Sequence, residues 1–282
     1  MYGDAGDDYV EGIGGVNHAE GGAGNDHLKG IGGVNVMNGG DGDDLLEALG
    51  GVNTMRGGNG NDEMRAAAVA VTLQWGDAGN DRMIAVSAGN SQWGGTGDDV
   101  LLGVGSANLQ WGGTGDDILA AGGNTNVQFG EDGDDDLFAL GQLNLQFGGA
   151  GQDLIVGAGS TNIQHGGEDD DVVVAAGSAN IQIGAEGDDI LIGAGGGNLQ
   201  FGAHLWSAIP EDLDVAGFDI AAARDKLEEY LDISGEDGND IMLAGGYGNI
   251  QIGGRGNDVG IGGGRGNAQA LGDGDDVLVG WG

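Results

Sequence analysis

The chain has 282 residues, 68 of them glycine, with one proline and no cysteine. Lys and Arg number 8 against 46 Asp and Glu, and the formal net charge of −38 repels nucleic acid and anionic membrane surfaces while attracting cations. Hydrophobic residues still make up 39%, and the glycines do not fall at every third position, which excludes a disordered glycine-rich chain and a collagen helix. The absence of cysteine leaves the redox compartment open. No basic segment followed by an apolar one begins the chain, and no apolar run is long enough for a membrane span; the expectation is a soluble protein or one exported through a C-terminal signal.

From the N-terminus onward a glycine–aspartate turn recurs about every eighteen residues. Its last acid falls at Asp8, Asp26, Asp44, Asp62, Asp81, Asp99, Asp117, Asp135, Asp153, Asp171 and Asp189, and again at Asp240, Asp258 and Asp276. Midway between them runs a second series: Asn17, Asn35, Asn53, Asn90, Asn108, Asn126, Asn144, Asn162, Asn180, Asn198, Asn249 and Asn267, with Thr72 in one slot. A period holding two turns and two short strands predicts an all-β fold, a parallel β-roll or β-solenoid of about fourteen coils. The Asp turns stack on one edge and the Asn turns on the other.

The first kind of turn reads GGAGNDHL, GGDGDDLL, GGNGNDEM and GGTGDDVL. This G-G-x-G-x-D motif with an apolar tail resembles the RTX (repeat-in-toxin) family, and the resemblance extends over nearly the whole chain. It implies a calcium-binding roll with several Ca2+ ions in one row along the Asp edge, the fourteen aspartates named above being the metal ligands. It also implies type I secretion to the extracellular space or cell surface. The family pattern places calcium on both edges, whereas the second edge here has lost its acids.

The chemistry suits that reading. Ca2+ takes six to eight oxygen ligands, and glycine lets a backbone turn its carbonyls inward while the aspartate adds a carboxylate. Coils about 4.8 Å apart place two such turns around one ion, and without ions the carboxylate column repels itself. Fourteen turns leave about thirteen gaps, and a full row brings the net charge of −38 to roughly −12. Asp7, Asp43, Asp98, Asp116, Asp134 and Asp188, which precede the ligand position, are expected to face solvent. The turns GGEDDD (166–171), GAEGDD (184–189) and LGDGDD (271–276) lack one glycine each, and weaker or distorted ion sites are expected there. The Asn edge needs no ion, because stacked carboxamides bond to one another. Glycines three residues before the Asn, such as Gly105, Gly123 and Gly159, are read as turn residues.

After the Asn the strand reads LQW, SQW, LQW, VQF, LQF and so on. In the first three coils Ala19, Met37 and Met55 point inward beside outward Glu20, Asn38 and Arg56. From Thr72 on, that register buries a ladder from Gln74 to Gln269 and exposes Trp75, Trp93, Trp111, Phe129, Phe147 and Phe201; a one-residue slip reverses the faces. One extra residue lies between Asp62 and Thr72, where the pattern changes. Strands after the Asp turns, such as Val172-Val173-Val174, are apolar at every position, which favours inward Gln and covered outer faces.

Residues 203–234 break the rhythm and hold the only proline. Pro210-Glu211-Asp212 suits a helix start, and Ile220, Ala223, Leu227, Tyr230 and Leu231 form one apolar stripe. The expected organisation is a roll over 1–202, a small helical insertion over 203–234, and the roll continued over 235–282. Both ends stop without an obvious cap, which reads as part of a longer protein or as ends that stack. His18, His27, His165 and His204 are scattered, and no catalytic constellation emerges.

The expected function is a non-enzymatic, extracellular, structural or self-assembling element, partnered by calcium ions and by further copies or an apolar surface through its outward aromatic and aliphatic rows. The alternatives are an adhesin or surface-binding module (apolar, crystalline or, with only Thr96 and Thr114 offering outward hydroxyls, ice) and an accessory domain of a larger secreted enzyme.

Overall fold

A computed structural model describes residues 1–202 and 238–281. It is an all-β, parallel solenoid of about fourteen coils; no helix occurs among the described residues. The strand pairings are parallel and join each coil to the next, as in Tyr9–Ala23 against His27–Asp41 and Asp136–Ala150 against Leu154–Glu168. The expected helical insertion over 203–234 lies outside the described residues. Its flanks are in register: Ile190 pairs with Ile241 and Leu199 with Ile250, as though one coil followed directly on the other.

The two edges differ in sharpness. At the Asn edge the strand runs continuously through the corner in most coils, as in the 15 residues of Tyr9–Ala23, and is interrupted there in others, as between Arg82–Val86 and Gly89–Thr96. At the Asp edge the ladder breaks, because the second and fourth turn residues both take positive φ, as at Gly40 (126°) and Gly42 (123°). Where glycine is missing the backbone still adopts this shape, at Asp169 (73°) and Ala185 (98°). Those left-handed positions store roughly 1 kcal/mol or more of backbone strain each. Asp4, Asp77 and Glu131 occupy the same left-handed position in three further turns.

The glycines before the Asn have a different reason from the one their position suggested. Gly105, Gly123 and Gly159 do not have positive φ; a Cβ there would collide with the carbonyl oxygen of Ser87, Gly105 or Gly141 in the coil before. At these three positions close stacking, not positive φ, demands glycine, whereas Gly195, Gly246 and Gly264 in the same series do take positive φ.

The interior is two columns wide. Leu28, Leu46, Met64, Met83, Leu101, Leu119, Leu137, Ile155 and Leu191 form one column, all fully buried. Facing it are Ala19, Met37 and Met55, and then Gln74, Gln92, Gln110, Gln128, Gln146, Gln164, Gln182, Gln200 and Gln251, also fully buried from Gln74 on. The Gln side chains are thus inside. Each is satisfied: Gln110 Nε2 donates to Gln92 Oε1 (2.8 Å) and to the carbonyls of Leu101 (3.0 Å) and Ala120 (3.2 Å). The extra residue before Thr72 is absorbed as a bulge, where the pairing steps from Gly50–Ala68 to Val52–Val71. The bulge leaves the inward register unbroken, so Gln74 sits directly above Met55.

Outside the Gln column, Trp75, Trp93, Trp111, Phe129 and Phe147 stack ring on ring, with centroids 4.8–5.7 Å apart and planes within 12°. They are half-buried. Phe201 departs from the expected exposure. It keeps the outward register between Ile183 and Ile252, yet only 6% of it is exposed. It is the last ring before the chain leaves the coil at Gly202.

Candidate metal-binding edge

The Asp turns form the edge where cations would gather. Asp26, Asp44, Asp62, Asp81, Asp99, Asp117, Asp135, Asp153, Asp171, Asp189, Asp240 and Asp258 are buried; Asp8 and Asp276 are half-buried at the ends of the row. From Asp26 on, each Oδ1 accepts the backbone N–H of the equivalent Asp one coil earlier, at 2.7–3.0 Å, as Asp44 does from Asp26 and Asp117 from Asp99. From Asp8 to Asp189 the other oxygen, Oδ2, is buried without a hydrogen-bond partner. It points over the first glycine of its own turn: a Cβ on Gly39, Gly94 or Gly112 would collide with Oδ2 of Asp44, Asp99 or Asp117. The first glycine of the motif is therefore required by the carboxylate. At the last turn Leu271 replaces it and is itself buried, and Asp276 is only half-buried.

A buried acceptor with no donor costs about 1–3 kcal/mol, more when charged, so a whole column of them needs a counterpart. Burial pushes nine of these carboxyls up. Asp44 rises to about 6, Asp81, Asp99, Asp117 and Asp153 to about 7, Asp62, Asp135 and Asp171 to about 8, and Asp189 to about 9. The N–H from the preceding Asp opposes the rise, and neighbouring carboxylates add to it. Among the described residues no three carboxylates or imidazoles converge on a point. An ion at this edge would take the buried carboxylate oxygens and complete its shell from the turn backbone. The residues present fit that role, since a hard cation wants unpaired oxygens in a cradle with room left by glycine.

A second column runs outside the first, and its role was missed. Asp7, Asp43, Asp98, Asp116, Asp134 and Asp188 are exposed, as expected, but they are not idle. Asp98 Oδ1 accepts the N–H of Asp116 (3.1 Å), and Asp116 Oδ1 that of Asp134 (3.0 Å). The outer side chains thus brace the coil after them and the inner ones the coil before. The signal was available: the intervening slots hold Asn25, Asn61, Asn80, Gln152, Asn239 and Asn257, each with a side-chain oxygen.

The opposite edge is neutral and closed. Asn35, Asn108, Asn126 and Asn144 are buried, and each Nδ2 donates to the next Asn Oδ1 at 2.8 Å and to a carbonyl fourteen residues on, at 3.1–3.2 Å. The Asn donors point toward the C-terminus and the Gln donors toward the N-terminus, so the two amide stacks oppose each other's dipoles. Thr72 interrupts the Asn stack, and its Oγ1 is buried without a partner.

His18 pairs with Glu20 and His27 with Glu47 on the outer surface. A groove of about 380 Å3 on the outer face of the early coils is lined by Lys29, Glu47, Arg65, Ile31 and Leu49, away from the Asp edge.

A roll of stacked glycine turns with a buried carboxylate column belongs to the class of cation-binding β-solenoids. The family model of the RTX calcium-binding nonapeptide repeat matches the chain in four copies, over residues 11–46, 29–64, 93–128 and 147–173. Over those residues the chain carries RTX calcium-binding repeats. Searches of curated proteins and of solved structures return no match.

Proposed function

We propose that this chain is a non-enzymatic, extracellular structural roll that calcium sets into shape. The buried, unbonded Oδ2 column from Asp8 to Asp189 carries the reading. Asp8, Asp26, Asp44, Asp62, Asp81, Asp99, Asp117, Asp135, Asp153, Asp171, Asp189, Asp240, Asp258 and Asp276 supply the carboxylates, and the turn carbonyls supply the remaining oxygens. Bound calcium would supply the positive charge that lets this column stay ionised at neutral pH. The chain's own contribution is to hold one carboxylate oxygen by the coil before, leaving the other aimed into the turn. Export by the type I route, common among RTX repeat proteins, brings the chain to a calcium-rich medium. There its outward apolar rows meet further copies or an apolar surface. The stacked row from Trp75 to Phe147 favours a second reading, an adhesin-like surface-binding module.

Calcium titration of chelator-stripped protein tests the proposal. The β-sheet circular dichroism signal should appear with calcium and vanish with chelator at neutral pH. A full signal in excess chelator would overturn it.

A further inference from the structure

The rings of the aromatic row stack face to face along the roll, so only their edges reach solvent and each covers its neighbour. The opposite face, formed by the strands that follow the Asp turns, is barer. There Val100 (37% exposed), Leu102, Ile118 (42%), Phe138, Leu140 (66%) and Ile241 stand open. Earlier coils carry Glu11, Lys29, Glu47 and Arg65 on this face, with Lys29 against Glu11 and Arg65 against Glu47. From Val100 through Ile261 its outward positions hold one charge, Asp136, in the row beside the Asp turn.

We propose that this bare face is where two copies of the chain pair, sheet against sheet. The inference rests on the structural reading above and names the contact.

Three observations favour a second copy over another occupant. Eight rungs at about 4.8 Å, each with outward residues spread over about five strand positions, give roughly 38 by 17 Å, or about 650 Å2 per copy. That is close to the roughly 800 Å2 per partner of a standard stable interface. Two copies also share one rung spacing, so each aliphatic ridge meets a groove of the same period, and such sheets pack about 10 Å apart. Finally, among the described residues most acids lie in the turns, and from Val100 through Ile261 this face carries only Asp136, so the faces meet with little like charge.

Sedimentation of the calcium-loaded protein over a concentration series decides it, with circular dichroism recorded on each sample. The parent should double its mass as concentration rises. Leu102→Lys with Phe138→Lys should stay monomeric with the parent's β signal. Leu140→Lys, at the most open position, should weaken pairing and guards against misfolding of the first variant. Leu109→Lys with Leu145→Lys, on the aromatic face, should still double. A parent that stays monomeric, or pairing lost only in the aromatic-face variant, overturns the inference. So does a monomeric parent that instead coats apolar beads. If the β signal persists in chelator, the calcium reading fails, and the same mass measurement made in chelator still decides the pairing.

Discussion

The backbone N–H of Asp99 donates to Oδ1 of Asp117, at 2.7 Å, one full coil further along the chain. From Asp26 to Asp189 each buried carboxylate is therefore positioned by the coil before it, and its second oxygen is free to serve as a ligand. The bond also means that an Asp here has two separable duties, one structural and one electrostatic.

Asp117→Asn separates them. The amide keeps an oxygen for the Asp99 N–H and removes the charge. Calcium stoichiometry, measured by equilibrium dialysis, should fall, while the calcium-free roll should become more stable than the parent. Asp117→Ala should lose both duties and be less stable than Asp117→Asn in either condition. Equal behaviour of the two variants would contradict the division.

The calcium-free roll should prefer acid. A carboxyl whose folded pKa is raised binds its proton more tightly in the folded chain, so it stabilises the fold fully below the unfolded value near 3.9. That contribution is lost as pH rises through the folded values, about 6 for Asp44 up to about 9 for Asp189. In chelator, the β signal should be strongest near the bottom of this window and fade across it. Calcium should flatten the dependence at neutral pH. A chelated roll that gains stability between pH 5 and 8 would contradict the burial of these groups.

On the other edge, Asn126→Ala removes the bond to Asn144 Oδ1 (2.8 Å) and strips Asn108 Nδ2 of one of its two acceptors. It should cost about 1–3 kcal/mol in denaturant unfolding. Calcium stoichiometry should not change; ions lost from this variant would mean that the edges are not independent. The converse substitution, Thr72→Asn, should close the gap between Asn53 and Asn90 and raise the midpoint, because Thr72 Oγ1 is a buried atom without a partner.

The Gln ladder should show a position effect. Gln110→Leu leaves Gln92 Oε1 without its donor and takes an acceptor from Gln128 Nε2. Gln74, at the ladder's start, meets Met55 Sδ on one side (3.9 Å), so Gln74→Leu disturbs one ladder neighbour, Gln92, where Gln110→Leu disturbs two. Thermal unfolding should rank Gln110→Leu below Gln74→Leu, by about 1 kcal/mol for the additional orphaned group.

Replacing Trp93, Trp111 and Phe129 with Ser should keep the calcium-dependent fold, since all three rings lie outside the core. The near-ultraviolet signal of the stacked indoles should disappear. Unfolding of this triple variant would place the rings in the core instead.

The sequence by itself determined the period, the two edges and the identity of the carboxylate column, because a solenoid writes each structural position once per coil. Asp8 through Asp276 recur at that step, and recurrence survives any uncertainty about a single strand. The sequence did not decide which way the Gln faced: LQW alternates equally well in either register, and only closure of the coil on Leu101 and Leu119 puts Gln110 inside. Nor did it reveal that Gly105 is needed for the approach of Ser87, since that contact joins residues a whole coil apart. The largest surprise has the same origin. Composition drew attention to the tryptophans, but stacking turns their faces toward one another, and the open apolar surface is the aliphatic one behind them. Which side chains stay uncovered is a property of packed neighbours, and only the tertiary structure supplies them.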